Sequence, residues 1–184
     1  TTRLYGGTVT LLSATLPRQG VRTVWVDSDR PEDFAAAITD RTRVVFLETI
    51  GNPKGDVPDL SAIARAAHRA GVPVIVDNTF APLLCRPLAH GADIVVLSCT
   101  KWLGGHGTSI GGVIVDGGRF DWTNGRFPLL SEPDDGYHGI VYARQFGPAA
   151  FITRCRVDGM RNIGLCPSPF NSFLLLQGVE DRKS

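Results

Sequence analysis

Three short apolar runs of this chain end on side chains able to do chemistry. Arg43 to Ile50 carries Glu48 near its end and Asn52 just beyond it. Val74 to Val76 runs into Asp77 and Thr79, and Ile94 to Leu97 runs into Ser98, Thr100 and Lys101. Lys101 is the only lysine between Lys54 and Lys183, and it precedes Trp102-Leu103. An amine that starts beside a partly desolvated pocket has a lowered pKa, and its neutral form attacks carbonyl groups. The competing reading is a lysine whose stem covers apolar surface while its ammonium reaches water. Asp77 is either a carboxylate that pairs with a cationic group or an ordinary turn acid. Asn52 is either a site amide or half of an Asn-Pro turn. Ser98 and Thr100 are either donors to an anion or residues that close a strand end.

The elements that must position these groups are legible in the same stretches. The runs are short, apolar and not alternating, which predicts α/β architecture with a mostly parallel sheet buried on both faces. Val21 to Val26 and Val113 to Val115 read as further strands. Pro31 opens a short helix through Glu32 to Ile38. Asp59 caps a helix whose Leu60, Ile63, Ala64 and Ala67 fall at i, i+3, i+4 and i+7, and Gly71 ends it. Asp121 to Tyr142, rich in Pro, Gly and aromatics, reads as ordered loop, and Pro167 to Leu176 leads into another helix. In a parallel sheet the strand ends share one edge, and ligands of open α/β sheets bind there. An acid, an amine and several hydroxyls are therefore expected around one crevice.

Composition narrows the function classes. Nineteen Lys+Arg against eighteen Asp+Glu give a net charge of +1, without the basic footprint of a nucleic-acid binder. Apolar runs such as Ile94 to Leu97 and Phe173 to Leu176 are far shorter than the roughly 20 residues of a membrane helix. The start, Thr1 to Gly7, does not resemble a signal peptide. Cys85, Cys99, Cys155 and Cys166 form no C-x-x-C pair. Only Cys85 with His90 and Cys99 with His106 approach a metal-ligand spacing, so no metal is expected. The thiols are expected mostly buried, in a reducing cytoplasm. The glycines from Gly104 to Gly112 precede a strand, so they are no dinucleotide fingerprint. His68 lies off its helix's apolar stripe and is expected at the surface.

The segment from Asp93 to Gly107, D-I-V-V-L-S-C-T-K-W-L-G-G-H-G, resembles the lysine signature of the Cys/Met-metabolism family of pyridoxal-phosphate (PLP) enzymes. Val74 to Phe80 (V-I-V-D-N-T-F), Glu48 to Pro53 (E-T-I-G-N-P) and Leu4 to Thr8 (L-Y-G-G-T) are similar to its other segments, in the family's order. The resemblance implies a fold-type-I PLP transferase-like large domain, with residues 1–184 as its PLP-binding core. It implies that Lys101 holds PLP covalently and moves protons, and that Asp77 pairs with the ring nitrogen and keeps it protonated. By the same resemblance Tyr5 stacks on the ring with its phenol near the reacting carbons. Ser98 and Thr100 donate to the phosphate, Asn52 bonds the ring hydroxyl, Thr79 supports the cofactor face and Glu48 lines the substrate entrance. His106 belongs to the structural turn after the lysine.

Within the family, Gly105 to Asp116, Phe120 to Pro128, Tyr137 to Gly139 and Ser168 to Asn171 are most similar to members that perform γ-replacement on O-acetylhomoserine with sulfide or a thiol. The partners implied are a small amino-acid substrate and sulfide or a thiol, with no nucleic acid or membrane, and, for a full-length protein, a homo-oligomer that is a tetramer in the family. Cystathionine γ-synthase or γ-lyase, methionine γ-lyase and a truncated non-catalytic remnant are the alternatives. The family's chains also carry an N-terminal arm and a C-terminal small domain that this segment lacks, and Glu180 to Ser184 departs from the family pattern. Phosphate contacts of the charge-assisted kind contribute on the order of 1.5–3 kcal/mol each. Without the arm, the chain alone is expected not to turn over.

Overall fold

The computed structural model describes residues 1–181. Arg182 to Ser184, within the segment that departs from the family pattern, lie outside the described residues. The chain forms two compact units that divide between Ala92 and Asp93.

In the first unit, α1 (Gly6–Thr10) opens a helical run that continues to Gln19 and ends on Gly20 at φ 81°. α2 (Pro31–Ala37), β1 (Val45–Glu48), α3 (Leu60–Arg69) and β2 (Val74–Asp77) follow. β1 and β2 pair in parallel from Val45↔Val74 to Glu48↔Asp77. The two carboxylates thus stand at adjacent strand ends, as the shared-edge argument expects of these two strands. Their apolar character is explained by burial: Leu47, Val74 and Val76 are almost wholly inside.

α3 lays Leu60, Ile63, Ala64 and Ala67 into the same core, and Ala66 joins them. The Ala62 N–H donates to the Asp59 side chain at 2.9 Å, which satisfies one orphan donor of the first turn. Asp59→Ala should therefore cost about 1 kcal/mol, read as a lower midpoint in a denaturant melt. His68 is exposed, as expected.

Val21 to Val26 is not a strand. The segment has no ladder partner beyond a Thr2 N–H donating to the Val26 carbonyl at 3.2 Å. Val21 and Val24 remain about half exposed. A β-prone run becomes a strand only where a neighbour accepts its hydrogen bonds and covers its face.

The second unit contains β3 (Ile94–Ser98), β4 (Gly112–Asp116), α4 (Pro128–Ser131), α5 (Tyr142–Phe146), α6 (Ala150–Arg154) and α7 (Pro169–Asp181). β4 departs from the parallel pattern. It pairs antiparallel with β3, from Ile94↔Asp116 to Ser98↔Gly112. The connection between them is a tight turn and a glycine-rich loop, which offers no covering helix for a parallel crossover.

Asp121 to Tyr142 is ordered around an aromatic cluster. Trp122 is buried and stacks on Phe151 with centroids 5.3 Å apart, and Phe127 meets it edge-on at 5.1 Å. Tyr142 is fully buried, with the Arg154 guanidinium 5.1 Å above its ring. The helical turns α4 and Asp135–Tyr137 replace part of the expected loop. All four cysteines are free. Cys85, Cys99 and Cys155 are half-buried and Cys166 is exposed, so the expectation of buried thiols is corrected. Burial pushes the Cys99 and Cys155 thiols up, away from thiolate. Among the described residues no helix is long and apolar enough to cross a membrane.

Candidate functional site

In the first unit the site is built outward from the β2 end. Asp77 is half-buried, and its Oδ1 accepts from the Thr79 N–H at 2.8 Å and the Thr79 hydroxyl at 2.5 Å. Both bonds fall on Oδ1, so Thr79 orients the carboxylate and leaves Oδ2 to other partners. The peptide of Asp77 is fixed as well, since the Thr49 N–H donates to its carbonyl at 2.9 Å. The Thr49 hydroxyl donates to Asn78 Oδ1 at 2.7 Å, and the Asn78 amide donates to the Cys85 carbonyl at 3.1 Å. Asn78, 2% exposed, is therefore a brace beneath Asp77. Sequence reasoning passes over Thr49 and Asn78. Only a polar pair at apolar strand ends signals them there.

Glu48 is 6% exposed, and both of its oxygens are occupied. Oε1 accepts from the Tyr5 N–H at 2.7 Å and Oε2 from the Asn52 N–H at 3.2 Å. Burial raises its pKa, and repulsion from Asp77 and Asp56 adds to this, while the two backbone bonds oppose it. The Tyr5 ring is 51% exposed. It lies over Gly7, where an added Cβ would come within 2.7 Å of the ring edge. Asn52 begins a loop joined to Pro53 by a cis peptide bond. The loop is closed by Gly51 N–H donating to the Asp56 carbonyl at 2.8 Å. Arg3 pairs with Asp56 at 2.9 Å and also with Asp29, tying the Tyr5 segment to this loop a second time.

In the second unit, β3 ends at Ser98 and the chain enters a short helical turn over Cys99–Leu103, broken at Lys101 (φ −92°, ψ −114°). Lys101 is exposed rather than desolvated, which corrects the pocket expected from sequence. Its carbonyl accepts from Gly105 N–H at 2.9 Å, and the Cys99 carbonyl accepts from Gly104 N–H at 2.7 Å. Thr100 closes the loop: its hydroxyl accepts from Gly111 N–H at 3.1 Å and lies 3.3 Å from the Gly111 carbonyl. The Ser109 hydroxyl in the same loop is buried without a hydrogen-bond partner.

α7 seats this turn. Leu175 fills the space that side chains at Gly104 and Gly111 would need, and Gly178 is pressed onto the Gly104 backbone. His106 belongs to the turn as expected, with Nδ1 2.9 Å from the Gly104 carbonyl and Nε2 3.1 Å from Asp181. Sequence reasoning misses the glycine seat. Its signal is Gly178 itself, since an interior helical glycine costs about 1 kcal/mol against alanine and needs a packing reason.

Each unit by itself carries groups of a kind that suits pyridoxal phosphate. The first unit supplies an anchored carboxylate for a cationic ring nitrogen, an aromatic face and an amide. The second supplies an amine for an aldehyde, the Ser98 hydroxyl for a phosphate, the Thr100 hydroxyl once it releases the Gly111 carbonyl, and the orphaned Ser109 hydroxyl.

The family model described as Cys/Met metabolism PLP-dependent enzyme matches residues 1–181. The homocysteine synthase of Schizosaccharomyces pombe is 53% identical over 98% of this chain and 43% of its own length. The O-acetyl-L-homoserine sulfhydrylase of Leptospira meyeri is 50% identical over 96% of this chain and 42% of its own length. Among solved structures, an O-acetylhomoserine (thiol)-lyase from Campylobacter jejuni carrying N'-pyridoxyl-lysine-5'-monophosphate superposes with a TM-score of 0.90. It is 33% identical and covers 97% of this chain and 44% of its own. The O-acetylhomoserine sulfhydrylase of Wolinella succinogenes superposes with a TM-score of 0.83 at 36% identity, covering 98% and 48% of the two chains. The chain thus spans under half the length of the relatives it matches.

Proposed function

The chain belongs to the Cys/Met metabolism PLP-dependent enzymes, and on that premise we propose that it is the PLP-binding core of a γ-replacement enzyme acting on O-acetylhomoserine. In the reaction the Cγ–O bond breaks and acetate leaves. A C–S bond to sulfide or a thiol forms in its place, giving homocysteine or a thioether. The names of the relatives support this choice of substrate, and the observation in this chain that supports the PLP-binding reading is the Asp77 carboxylate, held on one oxygen by Thr79.

When bound, PLP supplies a sink for the electrons left as a proton leaves the substrate's α-carbon. The residues divide the remaining work. Lys101 would hold the cofactor through its amine and, once the substrate's amine has displaced it, would take the α-proton and return protons later. Asp77 would pair its carboxylate with the ring nitrogen and keep it protonated. Ser98 and Thr100 would bind the phosphate, Asn52 would bond the ring hydroxyl, and the Tyr5 ring would cover the cofactor face. Thr79 acts through Asp77. Residues 1–184 form one cytoplasmic PLP-binding large-domain core in this reading, homo-oligomeric in the full-length protein.

The test is addition of PLP followed by borohydride reduction and peptide mapping. A pyridoxyl group on Lys101 supports the proposal, and no adduct on a folded sample refutes it. In a family-length protein carrying this segment, sulfide should be consumed with O-acetylhomoserine. Strong activity on cystathionine with none on sulfide rejects the substrate. Thr79→Val removes one bond to the Asp77 carboxylate but keeps the N–H. Hydrogen bonds to charged groups contribute about 1.5–3 kcal/mol, so PLP affinity should fall at least about tenfold, measured by titration of cofactor absorbance.

A further inference from the structure

We infer that Glu48 is a positioning residue whose ionised carboxylate, gripping the Tyr5 and Asn52 backbones at once, sets where the Tyr5 ring and the Asn52 amide stand. The inference rests on the proposed PLP site, because that reading gives Tyr5 and Asn52 their tasks. It gives Glu48 a task apart from the substrate entrance, since each of its oxygens already accepts a backbone N–H.

Three observations carry it. Tyr5 precedes α1 and its side chain makes no capping bond there. Its N–H instead reaches across the fold to Glu48, 43 residues away, much as the acid of a capping box holds the backbone at a helix start. The ring is half exposed and lies over Gly7, on the same short segment whose main chain Glu48 holds. Asn52, at the head of its loop, is held by the other oxygen of the same carboxylate.

A carboxylate offers acceptors on both oxygens, whereas a glutamine offers only one. One N–H therefore loses its acceptor in Glu48→Gln at almost unchanged shape. The charged groups around Glu48 are Asp77 beside it in the sheet, Asp56, and the Arg3–Asp29 pair that shares its pocket. The raised pKa gives the variant a distinctive signature. A carboxyl with a raised folded pKa favours the fold most below its unfolded pKa, and that contribution is lost as pH rises through the folded value. Wherever Glu48 is ionised it is thus held at a cost to stability, which glutamine relieves. The clamp should weaken while the global melt moves little.

Amide hydrogen exchange of the full chain without cofactor is the direct test. In Glu48→Gln, protection at Tyr5 or Asn52 should fall about fivefold to tenfold, with Leu47 and Val76 unchanged. With PLP added, the visible circular dichroism per trapped cofactor should also change, reporting altered surroundings of the ring. Unchanged protection at both amides overturns the inference. So does an even loss across β1 and β2, or an unchanged dichroism per trapped cofactor. If the parent chain gives no Lys101 adduct, the proposed function fails, and the cofactor-free exchange measurement still decides the clamp.

Discussion

Lys101→Ala abolishes reductive trapping of PLP on the chain, and Lys101→Arg does so equally. Covalent capture of an aldehyde needs an amine that can lose a proton, and a guanidinium does not lose one in a protein. Alanine removes charge and nucleophile together, while arginine keeps the charge, so equal loss assigns the effect to the amine. Lys54 and Lys183 are the remaining lysines, and peptide mapping separates them from Lys101. In a family-length protein carrying this segment, turnover of O-acetylhomoserine should fall by at least about 10³-fold, since positioned acid–base catalysis alone contributes roughly 10²–10⁴-fold. Trapping that survives in Lys101→Ala with the label on another lysine would remove Lys101 from the proposal. The exposure of Lys101 in the structure is compatible with this task, because covalent capture requires access as well as a neutral amine.

Gly178→Ala is the second large effect, and two physical terms oppose each other in it. Helix propensity favours alanine over glycine by about 1 kcal/mol. Packing opposes it, because a Cβ at Gly178 would overlap the Gly104 carbonyl, and that atom is backbone rather than a movable side chain. Overpacking a fitted contact costs about 1–3 kcal/mol and sometimes more. Steric overlap with backbone lies at the upper end, so packing wins and the variant is destabilised by about 2 kcal/mol net. A denaturant melt reads the loss. Amide exchange at Gly104 and Gly105 shows whether it is concentrated in the turn that bears Lys101. Gln177→Ala, at an exposed neighbouring position of α7, is the control and should change stability little. A variant as stable as the parent would show that α7 does not seat the turn.

Much of the local architecture is legible from residue order. The α3 cap and its apolar stripe, the β1, β2 and β3 runs and the helix after Pro167 all depend on near neighbours, where spacing and capping chemistry are enough. Val21 to Val26 shows the limit. Its β-prone residues satisfy the local rule, yet no strand lies beside them to complete a ladder. The antiparallel course of β4 is another case, because strand direction follows from the path of the connection and not from the residues within the strand.

The candidate site divides along the same line. Lys101, Asp77, Ser98, Thr100, Asn52, Tyr5, Thr79 and Glu48 stand out in the string, most of them because polar groups at apolar strand ends are unusual there. Their partners do not. Thr79 on Asp77 is a near-neighbour bond that sequence reasoning leaves unassigned, while Glu48 on Tyr5 and Asn52 spans separate segments. Gly178 against Gly104 joins a helix to a turn far upstream. Residue types and their local periods carry the chemistry available to this chain. Which of those groups touch is settled by packing, because a buried hydrogen bond or a close backbone approach is selected by everything around it.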